Sequence, residues 1–266
     1  MSIKILVTGA NGQLGKTIQD LYHDNDLGLE FNFVGKQELD ITNKNQIHNF
    51  FKENRIDYCI NCAAYTNVEQ AEKTPEMAFK VNAEGVKYLA QTCNKTNTVL
   101  IHVSTDYVFD GEKGTPYTIQ DVPNPINEYG KSKLLGEQYI QEIMSKFFII
   151  RTSWLYSKIH GKNFYKTILD KAKTEKSLYI TDEQIGCPTD VVNLTEFIVA
   201  LILRNEKAFG IHHYCDNKIM TWFSFAEHIL YENNLKDKIN LFKSSNYITL
   251  AKRPKYSVLC TKTTKI

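Results

Sequence analysis

Ile3-Lys4-Ile5-Leu6-Val7-Thr8-Gly9-Ala10-Asn11-Gly12-Gln13-Leu14-Gly15 decides how the rest of this 266-residue chain is read. Its first half is a short β-rich apolar run, and Leu14, Ile18, Leu21 and Tyr22 recur at helical spacing, so the stretch reads as strand, tight turn and helix. In such a turn Gly9 takes backbone angles closed to other residues, Gly12 lets the main chain approach a pyrophosphate, and Gly15 lets helix and strand pack closely. The N–H groups that open the helix then face the phosphates. Gly9, Gly12 and Gly15 are therefore candidate dinucleotide contacts. The fold class expected is α/β, a Rossmann-type doubly wound parallel sheet.

Working outward, Phe31-Asn32-Phe33-Val34 reads as the second strand, whose end meets the adenosine ribose in such folds. An acidic residue there suits NAD and a basic one suits a 2′-phosphate; Lys36, with Glu38 close by, favours NADPH, with NADH as the alternative. Asp40 or Thr42 is expected to start the next helix, whose face carries Ile47, Phe50 and Phe51. Asp57 to Ala64 is a strand running into small residues, which leave room for ligand at a strand's carboxyl end. Ala63, Ala64 and Tyr65 are accordingly placed along the cofactor, and Thr66 toward the substrate.

Pro75 to Cys93 reads as one long helix, with Asn82 inside it tying the helix to active-site loops. Val99 to Ser104 is a nearly continuous apolar strand, as in a buried parallel sheet, and His102 within it reads as a core histidine. Thr105 and Asp106 follow at its carboxyl end. The Gly- and Pro-rich loop 111–127 is an active-site wall, and Tyr129 to Ile143 is a helix on which Tyr129 and Lys133 share one face. Phe147 to Thr152 is the next strand. Beyond it the alternation becomes irregular, with a helix over Val191–Leu203, a strand over Ile211–Tyr214 and a Thr221-capped helix from Trp222 to Tyr231. The domain division expected is 1–152 for the dinucleotide and 153–266 mainly for substrate, with some segments returning to the first sheet.

Composition narrows the classes. A hydrophobic fraction of 42% supports a buried core, and a net charge of +2 with mixed signs gives no nucleic-acid stripe or membrane-surface helix. The N-terminus enters the first strand without a secretory pattern, and Phe197–Leu203 is too short to span a bilayer, so a soluble cytoplasmic protein is expected. Cys59 and Cys62 look like a metal or redox pair, but residues three apart in a strand point to opposite faces, and no metal is assigned.

A Tyr-x-x-x-Lys pair suits carbonyl reduction. A phenol titrating near 10 is a poor acid at neutral pH, and a nearby ammonium favours its ionised form; a drop of about three units corresponds to about 4 kcal/mol. Tyr129 is the candidate proton donor, Lys133 tunes it and holds the nicotinamide ribose, and Thr105 hydrogen-bonds the carbonyl oxygen. Trp154 offers an apolar platform for a deoxysugar, and Arg253 a bidentate partner for a diphosphate.

The spacing Gly9-x-x-Gly12-x-x-Gly15 resembles the extended short-chain dehydrogenase/reductase superfamily. More closely, the segments Thr8–Gly15, Ser104–Gly111, Tyr129–Leu134, Arg151–Trp154, Gly186–Thr189 and Arg253-Pro254 together resemble the dTDP-4-dehydrorhamnose reductase family along essentially the whole chain. The resemblance implies NADPH-dependent reduction of the C4 ketone of dTDP-4-dehydro-L-rhamnose, a step toward surface polysaccharide, and a dTDP-sugar as the partner molecule. It implies cofactor contacts at Gly12, Gln13, Leu14, Asp40, Ile41, Ala63, Ala64 and Tyr65. It also implies substrate contacts at Thr105, Asp106 and Trp154, with Tyr129 and Lys133 as donor and cofactor contact.

Some family members form a magnesium-bridged dimer through glutamates, one at the position of Thr17, so the metal is not carried over and the assembly expected is a monomer or homodimer. The family normally continues past Leu259 through a C-terminal helix, for which this sequence has few residues. Two other readings compete: an epimerase of the same fold, and a non-catalytic NADP-binding regulatory subunit. A dehydratase is disfavoured because Asp106 is followed by Tyr107 rather than by an acid.

Overall fold

A computed structural model describes residues 2–245 and 249–262. The first half contains β1 (Ile3–Thr8), α1 (Gln13–Tyr22), β2 (Leu29–Val34), α2 (Lys44–Glu53), β3 (Tyr58–Asn61), α3 (Val68–Lys73) and α4 (Pro75–Phe79). A π-helical turn (Lys80–Gly85) leads into α5 (Val86–Thr96), then β4 (Val99–Thr105), α6 (Glu128–Ile143) and β5 (Phe147–Thr152). The second half contains β6 (Leu155–Tyr156), α7 (Phe164–Thr174), β7 (Ser177–Ile180), β8 (Ile185–Gly186), β9 (Thr189–Asp190) and α8 (Val191–Leu203). It continues with β10 (Gly210–His213), β11 (Met220–Thr221), α9 (Trp222–Glu232) and β12 (Asn240–Lys243).

Six strands form one parallel sheet in the order β2-β1-β3-β4-β5-β10. The chain leaves β1 for β2 on one side and returns to β3 on the other, which makes the carboxyl ends of β1 and β3 the switch point where ligands collect in such sheets. Side-chain alternation fixes what covers each face. Ile5, Val7, Ile60, Ile101 and Ile150 pack with α1 and α8, whereas Leu6, Cys59, Leu100 and Ile149 pack with α2, α5 and α6. Cys59 and Cys62 accordingly point to opposite faces, and Cys59 lies buried among apolar side chains.

The second half contributes to both layers. β10 pairs with β5, α8 packs on α1, and Tyr165, Ile168, Leu178, Phe225 and Ile229 build a separate apolar cluster beneath α7 and α9. Two local expectations are corrected. Helix α2 is capped by Asn43, whose carboxamide oxygen accepts from Asn45 and Gln46, while Asp40 instead accepts from the backbone and hydroxyl of Thr42. The single helix expected over Pro75–Cys93 is instead α4, the π turn that contains Asn82, and α5, which runs on to Thr96. Among the described residues no helix is long and apolar enough to cross a membrane.

Candidate active site

The glycine turn has the geometry its sequence requires. Gly9 sits at φ +66°, and a Cβ there would lie 2.5 Å from the Ala63 nitrogen. One at Gly15 would lie 2.6 Å from the Ala10 Cα, so helix and strand close only because both positions lack a side chain. Gly12 is the N-cap of α1 and offers no side-chain acceptor, and the first turn carries no acid. The leading N–H groups of α1 thus remain available to an anion, and the turn fits a dinucleotide diphosphate.

Below this turn opens a cavity of about 600 Å³. Gly12, Gln13, Leu14, Gly15 and Ala64 line it at the turn, and Thr66, Thr105, Asp106, Tyr129, Lys133, Trp154 and Arg253 line the rest. Six sequence candidates stand outside this wall. Gly9 and Ala63 lie behind it, in contact with one another, and Ile41 is buried against Gly85. Tyr65 is held at both its N–H and its carbonyl by the Asn82 side chain, which also donates to Ser132 of α6; the tie expected of Asn82 is present. Lys36 is exposed at the end of β2 with its Nζ 3.9 Å from Asp40.

The acid–base groups lie in the same cavity, Lys133 buried and Tyr129 half-buried. The sequence places Asn127 just before α6, where its side chain accepts from Gly130 N–H and starts the helix that carries Tyr129 and Lys133. Burial pushes the Tyr129 phenol above its ordinary range, opposed by its hydrogen bond with Thr105. The lowering expected from Lys133 does not appear, because Lys133 Nζ is turned to the Val103 carbonyl at 2.7 Å and to His102 Nε2 at 3.1 Å. Lys133 itself is pushed down by burial to about 8, against the raising effects of Glu137 and Cys62. Asp106 is 2% exposed, its Oδ2 has no hydrogen-bond partner, and burial pushes its carboxyl up to about 7.

At the far end Trp154 takes φ +46°, a left-handed conformation that costs about 1 kcal/mol for a non-glycine residue. Packing holds it there. A Cβ at Gly186 would meet the indole at 2.5 Å, and the other face stacks on Trp222 with centroids 3.5 Å apart and planes 5° from parallel. Trp222 also lines the cavity, and its Nε1 donates to Gln184. The sequence reading missed Trp222 as a site residue; its position at the start of a Thr221-capped helix explained it fully as a helix-opening residue. Lys162, Asn163 and Phe164 were missed as well. The loop that carries them crosses the nucleotide turn: Gln13 Nε2 donates to the Leu155 carbonyl and Asn163 donates to Gln13 Oε1. Arg253 donates to Glu69 at 2.6 Å and to the Tyr107 hydroxyl, leaving its buried Nε without a partner.

A doubly wound sheet, an open glycine turn at its switch point, and a Tyr129–Lys133 pair lining the adjoining cavity define a dinucleotide-dependent oxidoreductase of the short-chain dehydrogenase/reductase class. Comparison narrows the class. Residues 3–266 match the family model described as the RmlD substrate binding domain. The dTDP-4-dehydrorhamnose reductase of Aggregatibacter actinomycetemcomitans is 38% identical over 271 residues, covering 96% of this chain and 90% of that protein. The crystal structure of the Bacillus anthracis dTDP-4-dehydrorhamnose reductase in complex with NADP superposes with a TM-score of 0.94 at 38% identity, covering 99% of this chain and 92% of that one. A Clostridium acetobutylicum orthologue gives 0.91 at 39% identity, covering 97% and 90%. The chain belongs to the dTDP-4-dehydrorhamnose reductase family.

Proposed function

We propose that this chain reduces the C4 ketone of dTDP-4-dehydro-L-rhamnose to dTDP-L-rhamnose with NADPH, in the synthesis of an activated sugar for polysaccharide. One observation carries this reading: Tyr129 and Lys133, one helical turn apart, both line a cavity with an anion-ready glycine turn on one side and an indole platform on the other. Bound NADPH supplies the hydride that C4 of the sugar takes up. Tyr129 delivers its hydroxyl proton to the ketone oxygen, so ketone, NADPH and one proton give alcohol and NADP⁺.

Thr105 holds the same oxygen and fixes its approach to Tyr129. Lys133 returns a proton to the tyrosinate and contacts the nicotinamide ribose. Asp106, able to donate or accept near neutral pH, faces the sugar hydroxyls, with Thr66 beside the substrate. Trp154 carries the apolar side of the deoxysugar, and Arg253, which lines the same cavity, pairs with the diphosphate. On the cofactor side Gly12, Gln13, Leu14 and Gly15 hold the pyrophosphate and Ala64 the nicotinamide half, with Gly9 and Ala63 shaping the turn from behind and Tyr65 next to Ala64 in the chain. Asp40 and Ile41 flank the adenine, and the exposed Lys36 meets the 2′-phosphate. Residues 1–152 serve the dinucleotide and 153–266 mainly the sugar nucleotide, in a cytoplasmic monomer or homodimer.

The test is the near-ultraviolet absorbance of NADPH mixed with enzyme and dTDP-4-dehydro-L-rhamnose. The reading expects one NADPH consumed per sugar. An epimerase or regulatory role would leave the absorbance unchanged despite binding of NADPH.

A further inference from the structure

Strand register builds a polar row across the sheet that leads to Lys133. Thr8 of β1 stands opposite Asn61 of β3, and Asn61 opposite His102 of β4. All three share the face covered by α6, and all are at most 1% exposed. Thr8 Oγ1 donates to Asn61 Oδ1 at 2.7 Å, and the backbone N–H of Ala63 donates to the same oxygen at 3.2 Å. An amide N–H can only donate, so the Ala63 contact fixes which end of the Asn61 carboxamide is oxygen. Asn61 Nδ2 therefore faces His102 Nδ1, 3.0 Å away, as a donor.

The consequence passes through the ring. With Nδ1 accepting, a neutral His102 carries its proton on Nε2, which faces Lys133 Nζ at 3.1 Å. A neutral amine accepts that N–H and still donates to Val103. An ammonium meets it with a hydrogen of its own. We propose that His102 is a positioning residue for the reaction: locked by Asn61 in its Nε2-protonated form, it disfavours the ammonium of Lys133 and makes Lys133 a ready proton donor to the Tyr129 phenolate. This rests on the assignment of Tyr129 and Lys133 given above.

The other groups facing Lys133 do not supply this effect. Glu137, on its own helix, favours the ammonium, but its carboxylate is occupied by Arg151 of β5 and Ser104 of β4. Cys62, just beyond β3, is a thiol pushed up by burial to about 12, and Tyr129 is a neutral phenol. Burial pushes His102 well below the ordinary imidazole range, with Lys133 acting in the same direction, so the ring stays neutral. The proton balance is simple. Lys133 as ammonium gives one proton to the phenolate left after each reduction and regains one from solvent through the cavity.

The test combines ring-nitrogen NMR with the pH dependence of kcat. In enzyme labelled with ¹⁵N-histidine, the His102 signals, assigned by their loss in His102→Gln, are expected to show a protonated Nε2 and a bare Nδ1 throughout the pH range of activity. The turnover rate falls at alkaline pH as Lys133 loses its proton. In His102→Gln the amide can turn its carbonyl oxygen to the ammonium, so this limb is expected to move up by about one pH unit. Should that variant not fold, Asn61→Asp serves: its carboxylate accepts a hydrogen bond from Nδ1–H, so the ring's proton sits on Nδ1, Nε2 is left to accept from the ammonium, and the limb again moves up. A wild-type ring protonated on Nδ1, or an unmoved limb in a folded variant, overturns the proposal. Lys133→Met separates the two levels, since undiminished turnover there overturns the donor assignment whatever the tautomer of His102.

Discussion

Tyr129→Phe is expected to lower kcat by about a hundred- to ten-thousand-fold, the range for removing a positioned general acid. The ring of Tyr129 packs edge-on against Tyr107 at 5.9 Å, a contact that phenylalanine keeps, so the fold and the cavity should be unchanged. Only the hydroxyl beside Thr105 is lost. NADPH affinity, measured by quenching of protein fluorescence, should stay within a few-fold of the wild type, because the glycine turn makes no contact through that hydroxyl. A variant retaining more than about a tenth of the wild-type kcat would remove Tyr129 from the chemistry.

Glu137→Ala is expected to have the largest effect on stability, about 3–5 kcal/mol, read as a lowered denaturation midpoint in urea. Glu137 and Arg151 are 0% and 2% exposed and meet at 2.6 Å, with Ser104 donating to the same carboxylate. Removing the acid strands a guanidinium whose Nη1 already lacks a partner. Replacing Glu137 and Arg151 together by apolar side chains of similar size should recover most of the loss, because the penalty lies in the uncompensated charge. A single variant within about 1 kcal/mol of the wild type would contradict this.

Much of the fold was legible because buried parallel strands and capped helices leave strong local marks. The strand Phe147–Thr152 and the helix Val191–Leu203 fall where the apolar runs place them. The cap of α2 was misplaced because Asp40, Thr42 and Asn43 are all good capping residues, and only the turn geometry selects Asn43. The two-residue strands β6, β8, β9 and β11 have too little sequence to show alternation, and β6 lines the cavity with Leu155 and Tyr156. At the site, spacing was enough to bring Tyr129, Lys133 and Thr105 to one cavity. It did not reveal where Lys133 points. Its turn toward His102 depends on cross-strand register, which couples Thr8, Asn61 and His102 over 94 residues of chain that no local pattern connects. His102 read as core for the same reason, being an isolated polar residue in an apolar strand. Trp222 stacks on Trp154 across 68 residues and was equally invisible.

The central claim, that this cavity moves hydride from NADPH to C4 of a dTDP-4-keto sugar while Tyr129 protonates the oxygen, is tested most directly by isotope transfer. Enzyme, dTDP-4-dehydro-L-rhamnose and NADPH deuterated at both C4 positions of the nicotinamide should yield dTDP-L-rhamnose carrying one deuterium, at C4 of the sugar, by proton and deuterium NMR. Product without deuterium at C4, or deuterium at any other carbon of the sugar, would contradict the account.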